Sequence, residues 1–278
     1  METSENLKQL VKEKYSEIAT QSKEENSSSC CGSGCCSDEV YNIMNDDYSN
    51  LKGYNPDADL GLGCGLPTQY ADMKKGDTVI DLGSGAGNDC FIARSVVGNE
   101  GKVIGIDMTE AMIAKARANA DKLGLNDVEF RLGEIENLPV AGNLADVIVS
   151  NCVLNLVPDK HKAFEEILRV LKKGGHFSIS DIVLMGDLPA TIKKAGEMYA
   201  GCVAGALQKE EYMEIIRKAG FINIKIQKEK PILIPDDILG KYLTKDELTE
   251  YKKKEAGIFS ITVYAEKSKE CCDSNCCK

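Results

Sequence analysis

Residues 79–89 read VIDLGSGAGND, an apolar run that ends in Asp81 and opens into Gly83, Gly85 and Gly87. Glycines at these positions let the chain turn sharply and approach a ligand closely, and a helix starting there offers unbonded N–H groups. That is the first turn of a nucleotide-binding α/β unit, although the dinucleotide pattern G-x-G-x-x-G would need a glycine where the chain has Asn88. Asp107 closes the next apolar run, where a carboxylate accepts hydrogen bonds from both hydroxyls of a ribose. Glu134, in RLGEIENLP, reads either as a contact for an adenine ring or as a solvated loop carboxylate.

Sulfur is the second chemistry. The chain carries twelve cysteines and only two histidines, so a soft-ion site would have to be mostly thiolate. Cys64 lies in GLGCGLP, Cys152 in SNCVLNL directly after an apolar run, and Cys202 in YAGCVAGAL. Ligands of open α/β sheets sit beyond the carboxyl ends of the strands, so these thiols could face whatever the glycine loop holds. Each alone reads more simply as a buried core residue. Cys90, among Phe91, Ile92 and Ala93, is read as core. Two further groups, CCGSGCC (Cys30, Cys31, Cys35, Cys36) and CCDSNCC (Cys271, Cys272, Cys276, Cys277), share the spacing CC-x3-CC near opposite ends.

The elements that must position these residues show in the periodicity. Apolar runs at 79–82, 103–107, 128–132, 145–150 and 176–183 alternate with helical segments, among them 109–123, with Thr109 as N-cap and Gly124 past its end. A second helix is predicted over 161–173, ending at Gly174-Gly175. Short continuous apolar strands between helices mean a parallel sheet covered on both faces. Two later strands, 221–227 and 257–267, suit an antiparallel edge, and a helix over 7–18 groups Leu7, Leu10, Val11, Tyr15 and Ile18 on one face. The segment 231–256 takes no assignment.

The net charge of −10 and the lack of a basic stripe argue against a nucleic-acid partner. No apolar stretch reaches the roughly 18 residues of a membrane span, and METSENLKQL is not a signal sequence, so a cytoplasmic protein is expected. In that reducing compartment the cysteines are expected to be working thiols.

The G-x-G-x-G loop resembles that of class I methyltransferases, which cradle the amino-acid end of S-adenosylmethionine. GLGCGLP, VIDLGSGAGNDC, VIGIDMTEAMIAKA, FRLGEIENLPV, DVIVSNCVLNL and YAGCVAGAL together, over roughly 50–225, resemble the arsenite methyltransferases in order and spacing. The resemblance implies a Rossmann-like α/β fold with a mostly parallel seven-stranded sheet and an antiparallel edge strand. It implies an S-adenosylmethionine site at Asp81, Gly83, Ser84, Gly85, Gly87, Asp107, Met108, Glu134, Ile135 and Asn151. It implies that Cys64, Cys152 and Cys202 hold trivalent arsenic, with a fourth thiol among Cys30, Cys31, Cys35 and Cys36. Arsenite arriving as a thiol conjugate such as that of glutathione, and a thioredoxin- or glutathione-type reductant, follow as partners, with a monomer as the expected state.

The implied organisation is a helix and Cys-rich loop over 1–50, a cofactor-binding core over 51–184, an arsenic-binding part over 185–267 and a Cys-rich tail over 268–278. The tail reads as an arsenic collector or as a dispensable appendage. Two other functions compete with the main reading: methylation of a carbon or oxygen of a small organic molecule, and thiol-rich arsenic binding without catalysis.

Overall fold

The structure is a computed structural model that describes residues 4–20, 46–188, 205–234 and 256–270, together with positions 203, 239, 244 and 249. Cys202, both CC-x3-CC groups and most of 231–256 lie outside the described residues.

Seven strands form one sheet in the order β3-β2-β1-β4-β5-β7-β6. They are β1 (Thr78–Leu82), β2 (Lys102–Asp107), β3 (Val128–Leu132), β4 (Ala145–Asn151), β5 (Leu171–Met185), β6 (Ile222–Ile232) and β7 (Gly257–Glu266). The first five run parallel, while β7 is antiparallel to both β5 and β6. The expected antiparallel edge is therefore present as the pair β7–β6. Along β1 the side chains alternate between two cores. Ile80 and Leu82 join Ile104, Phe164 and Tyr212 on one face, and Val79 joins Phe91, Val103 and Ile113 on the other.

The helices are α1 (Ser4–Thr20), the short α2 (Pro67–Tyr70), α3 (Asn88–Val97), α4 (Glu110–Leu123), α5 (Lys160–Val170) and α6 (Lys209–Lys218). Helices α3 and α4 cover one face of the sheet, and α5 and α6 cover the other. Gly124 ends α4 in the left-handed conformation, as expected, whereas the Thr109 side chain makes no cap hydrogen bond.

Three boundaries differ from the periodicity. The helix expected over 161–173 stops at Val170, because Leu171 is extended, fully buried and paired with Ala145. Gly174 (φ +78) and Gly175 then lie inside β5, bonded to Lys267, and do not cap the helix. β6 runs on through Pro231, which an outermost strand tolerates because it has no further neighbour to bond. Helix α1 is longer than expected and turned: Val11 and Ile18 are buried, while Leu7 and Leu10 are 38% and 58% exposed. Its inner stripe is Lys8, Val11, Tyr15, Ile18 and Ala19, with Ile18 and Ala19 against Met112 of α4.

Strand order reverses at β1 and β4, whose neighbours diverge to either side, and open α/β sheets form a ligand crevice at that point.

Candidate functional site

A cavity of about 140 Å³ opens over the carboxyl ends of β1, β2 and β4. The loop after β1 is bent back onto β2, with the N–H groups of Gly83 and Ser84 both donating to the Ile106 carbonyl at 2.8 and 3.0 Å. Gly83, Gly85 and Gly87 all take positive φ, a conformation costly for residues with a Cβ. At Gly87 a Cβ would also stand 2.9 Å from the Phe91 ring, whereas at Gly85 it would meet open space. Asn88, in place of the third glycine of dinucleotide sites, is buried and accepts the Asn55 N–H.

Asp81, Gly83, Ser84, Gly85, Asp107, Met108, Glu134, Ile135, Asn151 and Cys152 all line the cavity. Gly87 instead turns the chain into α3, and Cys64 stands one residue behind Gly63, which does line it. Among the described residues the buried Ser84 hydroxyl has no hydrogen-bond partner, an open demand for a ligand atom. Asp107 accepts the Gly85 and Thr109 N–H groups at 3.0 and 2.8 Å, which fixes its carboxylate at the rim of the loop. Glu134 is paired with Lys8 at 2.7 Å and Lys12 at 3.6 Å across from α1.

Carboxyl groups concentrate here, and burial favours their protonated forms. Burial pushes the Asp81 carboxyl well above its usual range, with the nearby Asp89 adding to the shift. Burial likewise raises Asp89 to about 6, against the lowering effect of hydrogen bonds from Tyr48, Asn151 and Thr68. Asp107 is raised by the same cause. Such a group of carboxyls is costly alone and is relieved by a cation. Cys90 is fully buried in α3 and its thiol donates to Asp81 at 3.3 Å; burial and Asp81 hold it protonated.

The two described thiols of the expected sulfur site come together. Cys64 and Cys152 share one buried cluster with Ile182, Leu184, Ala206, Ile258 and Val203, the residue after Cys202. Cys152 takes φ +61, unusual for a residue with a side chain, and its N–H donates to the Ser180 carbonyl at 2.8 Å. The Cys64 carbonyl accepts from Ser260 of β7 at 2.6 Å.

Periodicity missed Tyr48, Asp59, Asp89, Lys8 and Glu136, all of which line the cavity. Asp89 lies inside the quoted motif, one residue past Asn88, and its neighbourhood to the glycines was the available clue. Lys8 is one turn before Val11 on the inner stripe of α1, where only a period that admits lysine would have found it.

The methyltransferase domain family matches residues 73–220. An arsenite methyltransferase of Halobacterium salinarum is 43% identical over 80% of this chain and 59% of its own length. The arsenite methyltransferase of Homo sapiens is 39% identical over 57% of this chain and 44% of its own. The match thus spans about half the length of these relatives. Among solved structures, an arsenic(III) S-adenosylmethionine methyltransferase from Chlamydomonas reinhardtii matches with a TM-score of 0.62 and 31% identity, covering 82% of this chain and 73% of that one.

Proposed function

Because this chain belongs to the methyltransferase domain family and, within it, to the arsenic(III) methyltransferases, we propose that it moves methyl groups from S-adenosylmethionine to thiol-bound trivalent arsenic. The observation that carries the proposal is the shared burial of Cys64 and Cys152 beside Val203, at the edge of a cavity rich in carboxyls.

The cavity fits the donor. The partnerless Ser84 hydroxyl, the open space above Gly85 and the carboxyls of Asp81, Asp89 and Asp107 are demands that a cationic nucleoside would meet. When bound, S-adenosylmethionine supplies an electrophilic methyl on a sulfonium centre. In the proposed assignment Gly83, Gly85 and Gly87 shape the loop, Ser84 and Asp107 hold the nucleoside, and Met108, Glu134 and Ile135 border the adenine. Asn151 stands on the side of the thiols.

Cys64, Cys152 and Cys202 hold arsenic as a pyramid of thiolates, which leaves the arsenic lone pair as the nucleophile. No general base is required, so the work of the protein is orientation and exclusion of water. Each transfer oxidises arsenic from the trivalent to the pentavalent state. Two thiol electrons return it, with a disulfide as product, which calls for a thioredoxin- or glutathione-type reductant. Arsenite arriving as its glutathione conjugate, a cytoplasmic monomer, the four-part organisation given above and a fourth thiol from Cys30, Cys31, Cys35 or Cys36 complete the proposal. No described helix is long and apolar enough to cross a membrane.

The test is incubation with arsenite, S-adenosylmethionine and a thiol, with speciation of the arsenic products. Methylated arsenic is expected from the unaltered protein, and replacing Cys64, Cys152 or Cys202 by Ser is expected to lower the rate by about 100-fold or more, the scale of a lost essential group. Methylation that survives each change, or that goes to an organic acceptor, would reject the three-thiolate site. Arsenite binding without any methylated product would reject the catalytic reading.

A further inference from the structure

Asn151 closes β4 one residue before Cys152, and its carboxamide bonds the chain around Cys64 on one side and Tyr48 and Asp89 on the other. Its Oδ1 accepts the Cys64 N–H at 3.1 Å and lies 3.9 Å from Cys64 Sγ, within reach of the thiol proton. Its Nδ2 donates to the Gly65 carbonyl at 2.9 Å and to the Tyr48 hydroxyl. Tyr48 is buried, and its hydroxyl reaches the same Gly65 carbonyl at 3.0 Å and Asp89 at 3.1 Å. A Cβ at Gly63 would stand 2.6 Å from Asn151 Nδ2, so the seat is closely fitted.

One planar amide therefore grips the Cys64 N–H and the carbonyl of the next residue, Gly65. The segment around Cys64 belongs to neither a helix nor a strand, and left alone it would have to be ordered at the moment of binding. Cys152 has a firmer base, directly after a central strand. We infer that Asn151 is a positioning residue that sets the Cys64 sulfur against Cys152 by clamping residues 63–65 to the end of β4. The inference rests on the reading of Cys64 and Cys152 as arsenic ligands, and it assigns to Asn151 a task on the acceptor side of the cavity. When arsenite binds, an As–OH bond and the Cys64 S–H bond break, an As–S bond forms, and the hydroxyl leaves with the thiol proton as water. Asn151 Oδ1 then keeps only the Cys64 N–H, so the clamp survives the exchange.

The experiment titrates the full chain with arsenite and follows the near-ultraviolet sulfur-to-arsenic absorption, with S-adenosylmethionine affinity measured by calorimetry in parallel. Asn151→Ala is expected to weaken arsenite binding about tenfold or more, the scale of lost hydrogen bonds to an ordered segment. The effect on S-adenosylmethionine is expected to be smaller. Tyr48→Phe, which keeps the ring and removes the hydroxyl, should give a milder loss in the same direction. Acting through Cys64, the Asn151→Ala loss should vanish in a Cys64→Ser background.

Wild-type arsenite affinity in Asn151→Ala overturns the inference, as does an equal loss in the Cys64→Ser background or a loss confined to S-adenosylmethionine. A wild-type protein without the arsenic–sulfur absorption overturns the arsenic reading, and the inference with it.

Discussion

Asp89 shows how a single carboxyl ties ligand binding to pH. Its hydroxyl partners Tyr48 and Thr68 favour the ionised form, yet burial wins and raises it to about 6. Since the folded chain holds this proton more tightly than the unfolded chain, ionising Asp89 costs the ligand-free fold stability as pH climbs from about 4 through about 6. A cationic donor reverses the preference, because it favours the carboxylate. Affinity for S-adenosylmethionine is thus expected to fall as pH drops below about 6, by up to about tenfold per pH unit for one linked proton. Calorimetry at pH 5.5 and 7.5 checks this, and Asp89→Asn should flatten the dependence. Equal affinity at both values in the unaltered protein would remove Asp89 from the donor site. Much of the placement around the cavity was legible beforehand: the glycines, Asp81, Asp107, Cys64 and Cys152 declare themselves by type and context, and they lie in or beside it. Tyr48 and Thr68 did not, because a buried hydroxyl in an irregular segment carries no periodic signature.

At the scale of elements, legibility followed burial symmetry. Strands β1, β2, β4 and the second half of β5 are covered on both sides and read as near-continuous apolar runs, whereas the outer strand β3 buries only alternate residues. Boundaries failed where two structures competed for the same residues, as at Leu171, whose pairing with Ala145 ended α5 early. The orientation of α1 failed for another reason. Its inner stripe includes Lys8, which lies 2.7 Å from both Glu134 and Glu136, and a stripe drawn from apolar residues alone is rotated away from the true one. Lys8, Val11 and Tyr15 make α1 one wall of the cavity. Deleting residues 1–20 is expected to raise the dissociation constant for S-adenosylmethionine about tenfold, equivalent to about 1.4 kcal/mol. Affinity unchanged by the deletion would mean that α1 merely rests on α4 and the two glutamates.

The whole molecule depends on a sheet whose seventh strand in sequence is sixth in space. Phe177 of β5 sits at the centre of the larger core, against Phe164 and Phe221. Phe177→Ala should cost about 3–5 kcal/mol of unfolding free energy by chemical denaturation, the usual penalty for emptying such a site. A loss below about 1 kcal/mol would mean that the core closes around the gap.

The insertion of β7 has a consequence in time. Ser260 of β7 bonds the Cys64 carbonyl across 196 residues of sequence, and Thr262 bonds Ser180 beneath Gly65. During synthesis the chain carries Cys64, Asn151 and Cys152 long before that strand exists. The seat of Cys64 therefore cannot be completed before β7 has been made, since it needs a contact that spans 196 residues. A nascent chain would present separate thiols to its surroundings, and the assembled sulfur pocket would belong only to the finished molecule.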